Sequence, residues 1–440
     1  MAKRSSKKAR RVFAGAQAGN RARRHGGQDR TLQGGWYALE GSVGILDRPI
    51  VDSAARDGAS GRLADRRGRR APSGTDRPAH EQRLIRVGLL LPISGSSGLH
   101  GPSGRYCAQL AAEEINAHGG LLGRRVQVVV GDGGMSFAAS AREGERLIEE
   151  DGVAALIGTH PSGVREILGP RIGRRLPYVY TPIFEGDAYE PGVFFLGETA
   201  YQQLAPVLPW MKSHLGARRW YLIGNDYRWP RDVHRMAHRL LAGQEAEIAG
   251  ETMVPLETED FDAVIGEIGR LRPDALIVTL IGSDAVIFHR AFTRAGLDER
   301  IWRLGLLTEE NTVLGIGAEC SRRLLSSAAY FANLPYPENE AFVRRYRSRF
   351  GPHAPVLNSI GQSCYEGLMF LHRIVSAAGS LDVEKLGRVA DGLEMTGPRG
   401  RMRMVGRHFV KDMHLAEADG VEFTIRQTFP QVEPNKGNPT

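Results

Sequence analysis

The feature that most constrains the fold is an alternation of short apolar runs with helical segments, which begins at Ile85. The run 85–91 is almost continuously apolar and ends at Pro92, as is typical of a strand buried on both faces of a parallel sheet. A Gly/Ser loop and a helical pattern over 104–116 follow it, and Gly119-Gly120 ends that helix. The unit then repeats in two series. This pattern predicts an α/β protein with two doubly wound parallel-sheet lobes.

The same reasoning gives bounds for the other elements. Strands are predicted at 126–130, 154–157, 177–181, 219–223, 247–255, 275–279 and 302–307. Helices are predicted at 138–150, 164–172, 204–215, 231–242, 261–271, 285–295, 339–350 and 359–378. The last 40 or so residues are predicted to form short strands joined by turns.

The first 83 residues differ from the rest in composition. They hold 19 of the 58 Lys and Arg residues and 8 of the 50 Asp and Glu residues, a net charge of +11, so residues 84–440 carry −3 of the total of +8. A segment this rich in Arg, Gly and Ser buries too little apolar surface to fold, which predicts disorder over 1–83. Arg10-Arg11 is similar to a twin-arginine signal, but the apolar run of an export signal is missing. We expect a basic interaction arm or, more simply, an over-extended start with the protein beginning near residue 80.

Several function classes are disfavoured. The mildly acidic body lacks the basic footprint of a nucleic-acid-binding protein, and no apolar stretch is long enough for a membrane span. Cys107, Cys320 and Cys364 have no metal-ligand spacing, so we expect no metal site and no disulfide framework. The motifs of serine hydrolases, zinc proteases and P-loop nucleotidases are absent, and we expect neither an enzyme nor a cofactor.

Two segments resemble a known family. Residues 86–95, RVGLLLPISG, and 112–124, AEEINAHGGLLGR, are similar to the opening of type I periplasmic solute-binding proteins of the leucine/isoleucine/valine-binding type. The resemblance runs from about residue 84 to the end. Residues 180–186, YTPIFEG, and 224–231, GNDYRWPR, resemble the branch that contains the amide sensor of the aliphatic amidase operon and the urea-binding component of ABC transporters. Residues 307–310 and 396–400 fit that branch too.

The resemblance implies a lobe arrangement. The N-terminal lobe would comprise 84–198 and 334–395, and the C-terminal lobe 199–333 and 396–440. Three crossovers would join the lobes near 196–203, 330–335 and 393–402. The ligand would lie between the lobes, beyond the carboxyl ends of the strands, which is also where open α/β sheets generally bind ligands.

Candidate ligand-binding residues follow the predicted strands. In the first lobe, Ser162 lies at a helix start, where its hydroxyl either contacts ligand or only caps the helix. His160 stands where the amide sensor has an aromatic residue, and a solvent-exposed loop histidine is the alternative. Tyr180 would supply a flat wall and Thr181 a hydroxyl, with packing as the alternative for both. Ser94 is a further candidate, whereas Glu185 and Gly186 would fix the shape of a loop.

The second lobe contributes a lid and polar groups. Tyr227 is the candidate lid aromatic, and Trp229 would only pack in its loop. Thr308 could bond an amide. A free amino acid needs a carboxylate for its ammonium group, which Asp284 or Glu309 could supply, whereas an amide or urea needs only neutral groups. The sequence leaves amino acid and amide open.

Two functions follow from the resemblance. The first is the substrate-binding component of an ABC transporter for a short-chain amide, urea or amino acid, with the transporter's permease as its partner. The second is a cytoplasmic ligand sensor that regulates an amidase-type operon through a partner protein. The protein would be periplasmic if its start is mis-assigned or its signal is missing, and cytoplasmic otherwise. The resemblance also allows a homo-oligomer.

Overall fold

The computed structural model describes residues 84–185 and 190–434, and the architecture below refers to these ranges. The strands are β1 Leu84–Leu91, β2 Arg125–Asp132, β3 Ala155–Gly158, β4 Tyr178–Tyr180, β5 Val193–Phe195, β6 Arg219–Asn225, β7 Glu247–Val254, β8 Ala275–Thr279, β9 Trp302–Gly305, β10 Leu324–Ala328, β11 Glu394–Gly397, β12 Gly400–Val405, β13 His408–Asp419 and β14 Glu422–Val432. The helices are α1 Gly101–Ala117, α2 Phe137–Glu149, α3 Ser162–Ile172, α4 Ala200–Leu204, α5 Val207–Leu215, α6 Arg228–Ala242, α7 Asp262–Leu271, α8 Gly282–Arg294, α9 Glu310–Ile316, α10 Pro337–Phe350, α11 Ser359–Ala378 and α12 Val383–Ala390.

The first sheet is fully parallel, with strand order β2-β1-β3-β4-β5. Both of its faces are buried, which explains the continuous apolar runs in its strands. Leu89 and Ile157 pack with α1 and α11 on one face. Leu90 and Leu156 pack with α2 and α3 on the other. Alternate residues of one strand thus serve two cores.

The second sheet has the order β11-β12-β13-β10-β9-β8-β6-β7, and β14 pairs with β13. Strands β6 to β10 are parallel, whereas β13 runs antiparallel to β10, β12 and β14. Trp220 and Leu222 face the core formed by α4, α5 and α6, and Tyr221 and Ile223 face α7 and α8. The α/β class with two doubly wound sheets, predicted from sequence, is confirmed.

Three local predictions are wrong. The helix predicted at 204–215 is two helices, α4 and α5, because the chain turns at Ala205-Pro206, where proline cannot donate the helical hydrogen bond. The C-terminal strands are long rather than short, with 12 residues in β13 and 11 in β14. The helix predicted at 285–295 begins earlier, because residues 282–284 form the first turn of α8.

Some predictions concern residues outside the described ranges. The disorder and export signal expected in residues 1–83, and the loop role of Gly186, lie outside the described residues. Among the helices that the structure describes, none has the length and apolar character needed to cross a bilayer.

Candidate ligand-binding cleft

A cleft lies where the loops after the carboxyl ends of both sheets meet. Loops after β1, β3 and β4 form one wall, loops after β6, β8 and β9 form the other, and the start of α11 closes the back. Parallel strands present the side chains of their carboxyl-end loops at one edge, and a cleft forms where two such edges face each other. The cleft has an outer and an inner compartment, which share the lining residues Pro182, Ile183, Leu307 and Ile360.

The outer compartment is wide and mostly apolar. It encloses about 470 Å³ of empty space, part of it open to solvent, and about 50 Å³ of it is accessible to the centre of a water molecule. Besides the shared residues, its lining comprises Pro92, Ser97, His100, Thr159, His160, Pro161, Ser162, Tyr180, Tyr227, Trp229 and Ile281. None of these described lining residues is Asp, Glu, Lys or Arg. The compartment therefore carries no formal charge when His100 and His160 are neutral.

Ser162 provides an unpartnered polar group at the first wall. It is the first residue of α3, after Pro161 at the N-cap position, and Pro161 makes no side-chain cap. The Ser162 hydroxyl is buried and has no hydrogen-bond partner, so it does not cap the helix. The first N–H groups of a helix also lack partners within it. This corner therefore offers several donors to one ligand group.

His160 is held inside the protein rather than exposed in a loop. Its Nδ1 lies 3.1 Å from the carbonyl oxygen of Pro161 and its Nε2 lies 2.7 Å from the hydroxyl of Tyr178. A neutral ring satisfies both contacts if Nδ1–H donates and Nε2 accepts. Burial, the main cause, lowers the pKa of His160 to about 3, so the ring stays neutral. Its ring nitrogens are thus occupied, and it offers the ligand ring surface alone.

Three aromatic side chains shape the outer compartment. The Tyr180 hydroxyl donates to the carbonyl of His160 at 2.8 Å, which fixes the ring as a wall. Tyr227 faces Phe137 edge-on across the cleft, with 6.1 Å between ring centroids. Trp229 lies beside Tyr227, and its buried indole N–H has no hydrogen-bond partner. These rings provide flat apolar surface and one free donor.

The inner compartment is narrow and polar. About 10 Å³ of it is accessible to the centre of a water molecule, which is room for about one water. Besides the shared residues, its lining comprises Thr181, Glu198, Gln203, Leu306, Thr308, Glu309, Glu310, Ser326, Ala328, Tyr330, Phe331, Ser359, Ser363 and Arg399. Thr181 is already engaged there, because its Oγ1 lies 2.7 Å from Thr159 Oγ1 and accepts from Ser363 at 3.2 Å.

Glu309 joins the two compartments. Its Oε1 accepts from the backbone N–H of Ile360 at 3.1 Å, and its Oε2 lies 3.2 Å from Nδ1 of His100. Asn311 places its amide nitrogen 3.0 Å from that same Nδ1, and an amide nitrogen can only donate. The His100 nitrogen is therefore an acceptor, and Glu309 Oε2 is left without a hydrogen-bond partner.

Behind the inner compartment lies a charged cluster formed by Glu198, Glu366, Arg399 and Lys411. The Arg399 guanidinium contacts Glu366 at 2.6 Å and Glu198 at 3.2 Å, and all four residues are buried. The Lys411 ammonium donates to the carbonyls of Leu196 and Gly197. Burial, the main cause, lowers the pKa of Lys411 to about 7, against the opposing effect of Glu198. No group of His, Cys, Asp and Glu within the described ranges could hold a metal ion.

Comparison with known proteins identifies the family. The family model described as periplasmic binding protein matches residues 84–422. The chain belongs to the periplasmic binding protein family. This confirms the type I resemblance, whereas nothing in the match distinguishes the amide and urea branch.

Two of the curated relatives that this chain matches come from Brucella. Leu/Ile/Val-binding protein homolog 8 of Brucella abortus is 27% identical over 233 residues, which is 48% of this chain and 55% of that protein. Homolog 7 of Brucella melitensis is 38% identical over 228 residues, 48% of this chain and 56% of the relative. The chain thus spans about half the length of the curated relatives it matches.

Solved structures share the fold of this binding protein. A leucine-binding protein of Thermotoga maritima superposes with a TM-score of 0.70 at 18% identity, covering 79% of this chain and 99% of the other. A solute-binding protein of an ABC transporter from Rhodopseudomonas palustris, in complex with p-hydroxybenzoic acid, gives 0.72 at 21% identity, covering 80% and 98%. At these identities the likeness concerns the fold.

The binding protein brings most of the predicted site residues together. His160, Ser162, Tyr180 and Tyr227 line the outer compartment, and Thr181, Thr308 and Glu309 line the inner one.

Two predicted residues lie outside both linings. Asp284 is fully buried in α8 and accepts from Asn225 at 2.7 Å and from the N–H of Thr258. The exposed Ser94 donates to Asp132 at 2.6 Å.

Sequence reasoning missed several lining residues. Trp229, considered only as loop packing, lines the outer compartment, as does His100, which ends the short 3-10 helix Ser96–His100. Their position after a strand's carboxyl end was a usable signal. Gln203, Glu310 and Tyr330 come from α4, α9 and the segment after β10, and no sequence spacing links them.

Proposed function

We propose that this protein is the solute receptor of an ABC importer and binds, in the outer compartment, a small carboxylic acid with an apolar or aromatic body. One observation carries the proposal. The buried hydroxyl of Ser162 lacks a partner at the start of the 11-residue helix α3, and it faces a compartment with neutral, mostly apolar walls.

The hydrogen-bond donors at the start of α3 indicate which head group the ligand carries. The start of a helix carries partial positive charge and free N–H groups, which together favour a carboxylate. The Ser162 hydroxyl adds a donor at the same corner, and the indole N–H of Trp229 offers another in the same compartment. A carboxylate can accept from several donors at once, whereas each of these donors stays unsatisfied beside an apolar ligand.

The body follows from the walls. Tyr180, Tyr227 and Trp229 provide aromatic surface, and Ile183 and Ile281 provide branched apolar surface. Urea or a short-chain amide would leave much of this surface uncovered. The relatives support an apolar body, because they carry the name of branched amino-acid binders or hold p-hydroxybenzoic acid.

The outer compartment has no acidic residue among its described lining residues to pair with the ammonium group of an amino acid, which favours a ligand without an amino group. No described residue lining the outer compartment is acidic, and Asp284 is buried in bonds of its own. Glu309 Oε2 is the one candidate at the boundary of the compartments, and it makes a branched amino acid the second candidate ligand. We favour the acid because the polar atoms of the outer compartment itself are neutral.

Two close contacts between the walls of the cleft support a receptor that closes on its ligand. Gly282, after β8, has φ +57° and approaches the loop after β1 so closely that a side chain there would meet the carbonyl oxygen of Ser96 at 1.9 Å. Arg228 of α6 contacts Glu166 of α3 at 2.5 Å across the mouth. We propose the lobe bounds and three crossovers given above, a periplasmic location and a permease partner. The relatives named above are binding proteins, which favours a receptor over the regulator of an amidase-type operon.

The test is a ligand panel on the full chain, using benzoate, 4-methylpentanoate, leucine, propionamide and urea. Leucine and 4-methylpentanoate differ only by the α-amino group. A ligand that binds only the folded state raises the melting temperature with concentration. We expect shifts with benzoate and 4-methylpentanoate and smaller shifts with leucine. Stronger binding of leucine would move the proposal to the amino acid, and shifts with urea or propionamide alone would refute both.

The Ser162→Ala variant tests the head-group site directly. Removing a hydrogen bond to a charged group costs roughly 1.5–3 kcal/mol, so we expect at least about tenfold weaker binding of the acid. Ser376→Ala, on the exposed face of α11, is the matched control and should leave the affinity unchanged. An unchanged affinity in Ser162→Ala would show that the carboxylate binds elsewhere.

A further inference from the structure

The inner compartment contains an unusual excess of unpartnered polar atoms. The hydroxyl of Tyr330, Oε1 of Gln203 and Oε2 of Glu310 have no hydrogen-bond partner, and these residues are 1%, 1% and 7% exposed. All three residues line the same narrow space. Glu309 Oε2 and Arg399 Nε, in the same lining, also lack a hydrogen-bond partner. Buried polar atoms are generally paired, so this concentration of unpaired ones in one small space indicates that a group from outside pairs with some of them.

Two of the three side chains are fixed by hydrogen bonds of their other polar atoms. The Gln203 amide donates from Nε2 to the carbonyls of Leu306 and Ser327 at 2.8 and 2.9 Å, which leaves its oxygen as an acceptor. Glu310 accepts from the N–H of Ala332 at 2.7 Å through Oε1, which leaves Oε2 free. The site is therefore preorganised rather than collapsed.

The size and chemistry of the space select the group. Room for about one water molecule admits the tip of a ligand but not a second ligand. The space offers an acceptor in Gln203 and a group that can both donate and accept in Tyr330. A hydroxyl also does both, whereas an ammonium group only donates and would leave the Tyr330 hydroxyl without an acceptor. The lining holds the Arg399 guanidinium together with the carboxyl groups of Glu198 and Glu309, so charge alone does not select the group. Burial raises the pKa of Glu310 to about 8, which makes its carboxyl neutral at pH 7 and equally suited to a hydroxyl.

The position of the compartment decides which end of the ligand enters it. The two compartments adjoin at the four residues that they share, while Ser162 lines only the outer one. A ligand whose carboxylate lies at Ser162 would therefore direct its far end toward the inner compartment.

We propose that the inner compartment is a specificity subsite in which Tyr330, Gln203 and Glu310 bind a hydroxyl group at the end of the ligand opposite its carboxylate. This inference rests on the function proposed above and adds a second recognised group to it.

The test compares 4-hydroxybenzoate with benzoate by calorimetry on the full chain. We expect the hydroxylated acid to bind at least about tenfold tighter, since a satisfied buried site rejects the analogue that leaves its atoms unpaired. Tyr330→Phe and Glu310→Gln should each reduce that ratio to about threefold or less while the affinity for benzoate stays within about twofold. Tyr201→Phe, on α4 outside both linings, is the matched control and should keep the ratio. Two variants with different chemistry guard against one that fails to fold.

The outcomes separate the two proposals. Equal binding of both acids, or a ratio that neither variant changes, overturns the subsite and leaves the proposed acid specificity intact. Tighter binding of 4-(aminomethyl)benzoate than of 4-hydroxybenzoate overturns the hydroxyl in favour of an ammonium group. Binding of neither benzoate nor 4-hydroxybenzoate refutes the proposed function, and the subsite with it.

Discussion

The outer compartment, which is partly open to solvent, and the buried charged cluster differ in the polar groups that they contain. In the charged cluster, Arg399 contacts both Glu198 and Glu366, and Lys411 donates to two backbone carbonyls. In the outer compartment, none of the described lining residues is Asp, Glu, Lys or Arg, and the hydroxyl of Ser162 lacks a hydrogen-bond partner. Paired charges serve the fold, and unpaired neutral groups are left for a ligand.

The charged cluster lies close to the mostly apolar outer compartment, and its internal contacts explain how this is possible. Glu198 accepts from the N–H of Ala329 at 3.1 Å, and Arg399 donates to Gln362 at 2.5 Å, so the cluster links the end of β10, α11 and the β11–β12 turn. Opposite charges this close together largely cancel at a distance, so the cluster exerts little field at the outer compartment. The outer compartment therefore keeps the neutral character that its own lining residues give it.

The largest effect should come from breaking the charged cluster. Arg399→Met leaves Glu198 and Glu366 buried without their cation, and removing one partner of a buried pair costs about 3–5 kcal/mol. We expect the free energy of unfolding, measured by denaturant titration, to fall by that amount.

Two variants sharpen this result. Arg401→Met removes an exposed arginine that contacts Glu394 at 2.7 Å, and it should cost less than about 1 kcal/mol. Adding Glu366→Gln to Arg399→Met should restore part of the loss, since one uncompensated charge is removed with it. If Arg399→Met were as mild as Arg401→Met, water would have to reach the cluster.

A smaller effect should come from pH at the outer compartment. The pKa of folded His160 is about 3, below the usual value of 6.5, so the unfolded chain binds a proton that the folded chain does not. This contribution is fully present above pH 6.5 and is lost as the pH falls toward 3. Between pH 7.5 and 5 it should lower the free energy of unfolding by about 2 kcal/mol.

The measurement compares unfolding at these two pH values in the wild type and in His160→Gln. The variant should lose about 2 kcal/mol less over this interval, although other buried histidines with lowered pKa values, such as His289, still contribute. His353→Gln, at an exposed position, should behave like the wild type. Parallel curves for the wild type and His160→Gln would mean that the ring binds a proton in the folded state.

The fold was more predictable from sequence than the site because its signals are local. The strand predicted at 275–279 and the helix predicted at 359–378 have those bounds in the structure, since the first is a wholly buried apolar run and the second a long segment with a mostly buried face. The length of β13 was missed because it depends on pairing with two other strands. β10 lies far away in the sequence, and β14 has many polar residues, so neither predicts a long partner.

The site shows the same division between local and distant information. Ser162, Tyr180 and Tyr227 follow strands directly, and strand ends are visible in a sequence. Asp284 was chosen for its charge, yet the first turn of α8 directs it to Asn225 instead of the cleft. Tyr330 and Gln203 meet only because distant segments fold together, which no local pattern records.

The smallest effect should appear at the mouth of the cleft, where a charge pair differs from the cluster in being exposed. Arg228 and Glu166 have side chains that are 33% and 40% exposed, so their contact contributes less than about 1 kcal/mol and is screened by salt. The pair nevertheless links the two walls, and any energy it supplies exists only in the closed arrangement, which biases closure and therefore ligand affinity. We expect Glu166→Gln to weaken ligand binding about two- to threefold in low salt and not at all in 0.5 M salt. Glu145→Gln removes a comparable exposed pair with Arg171 within one wall, so it should leave affinity unchanged at either salt concentration. Equal effects of the two variants would mean that general surface charge, rather than contact between the walls, determines how the cleft closes.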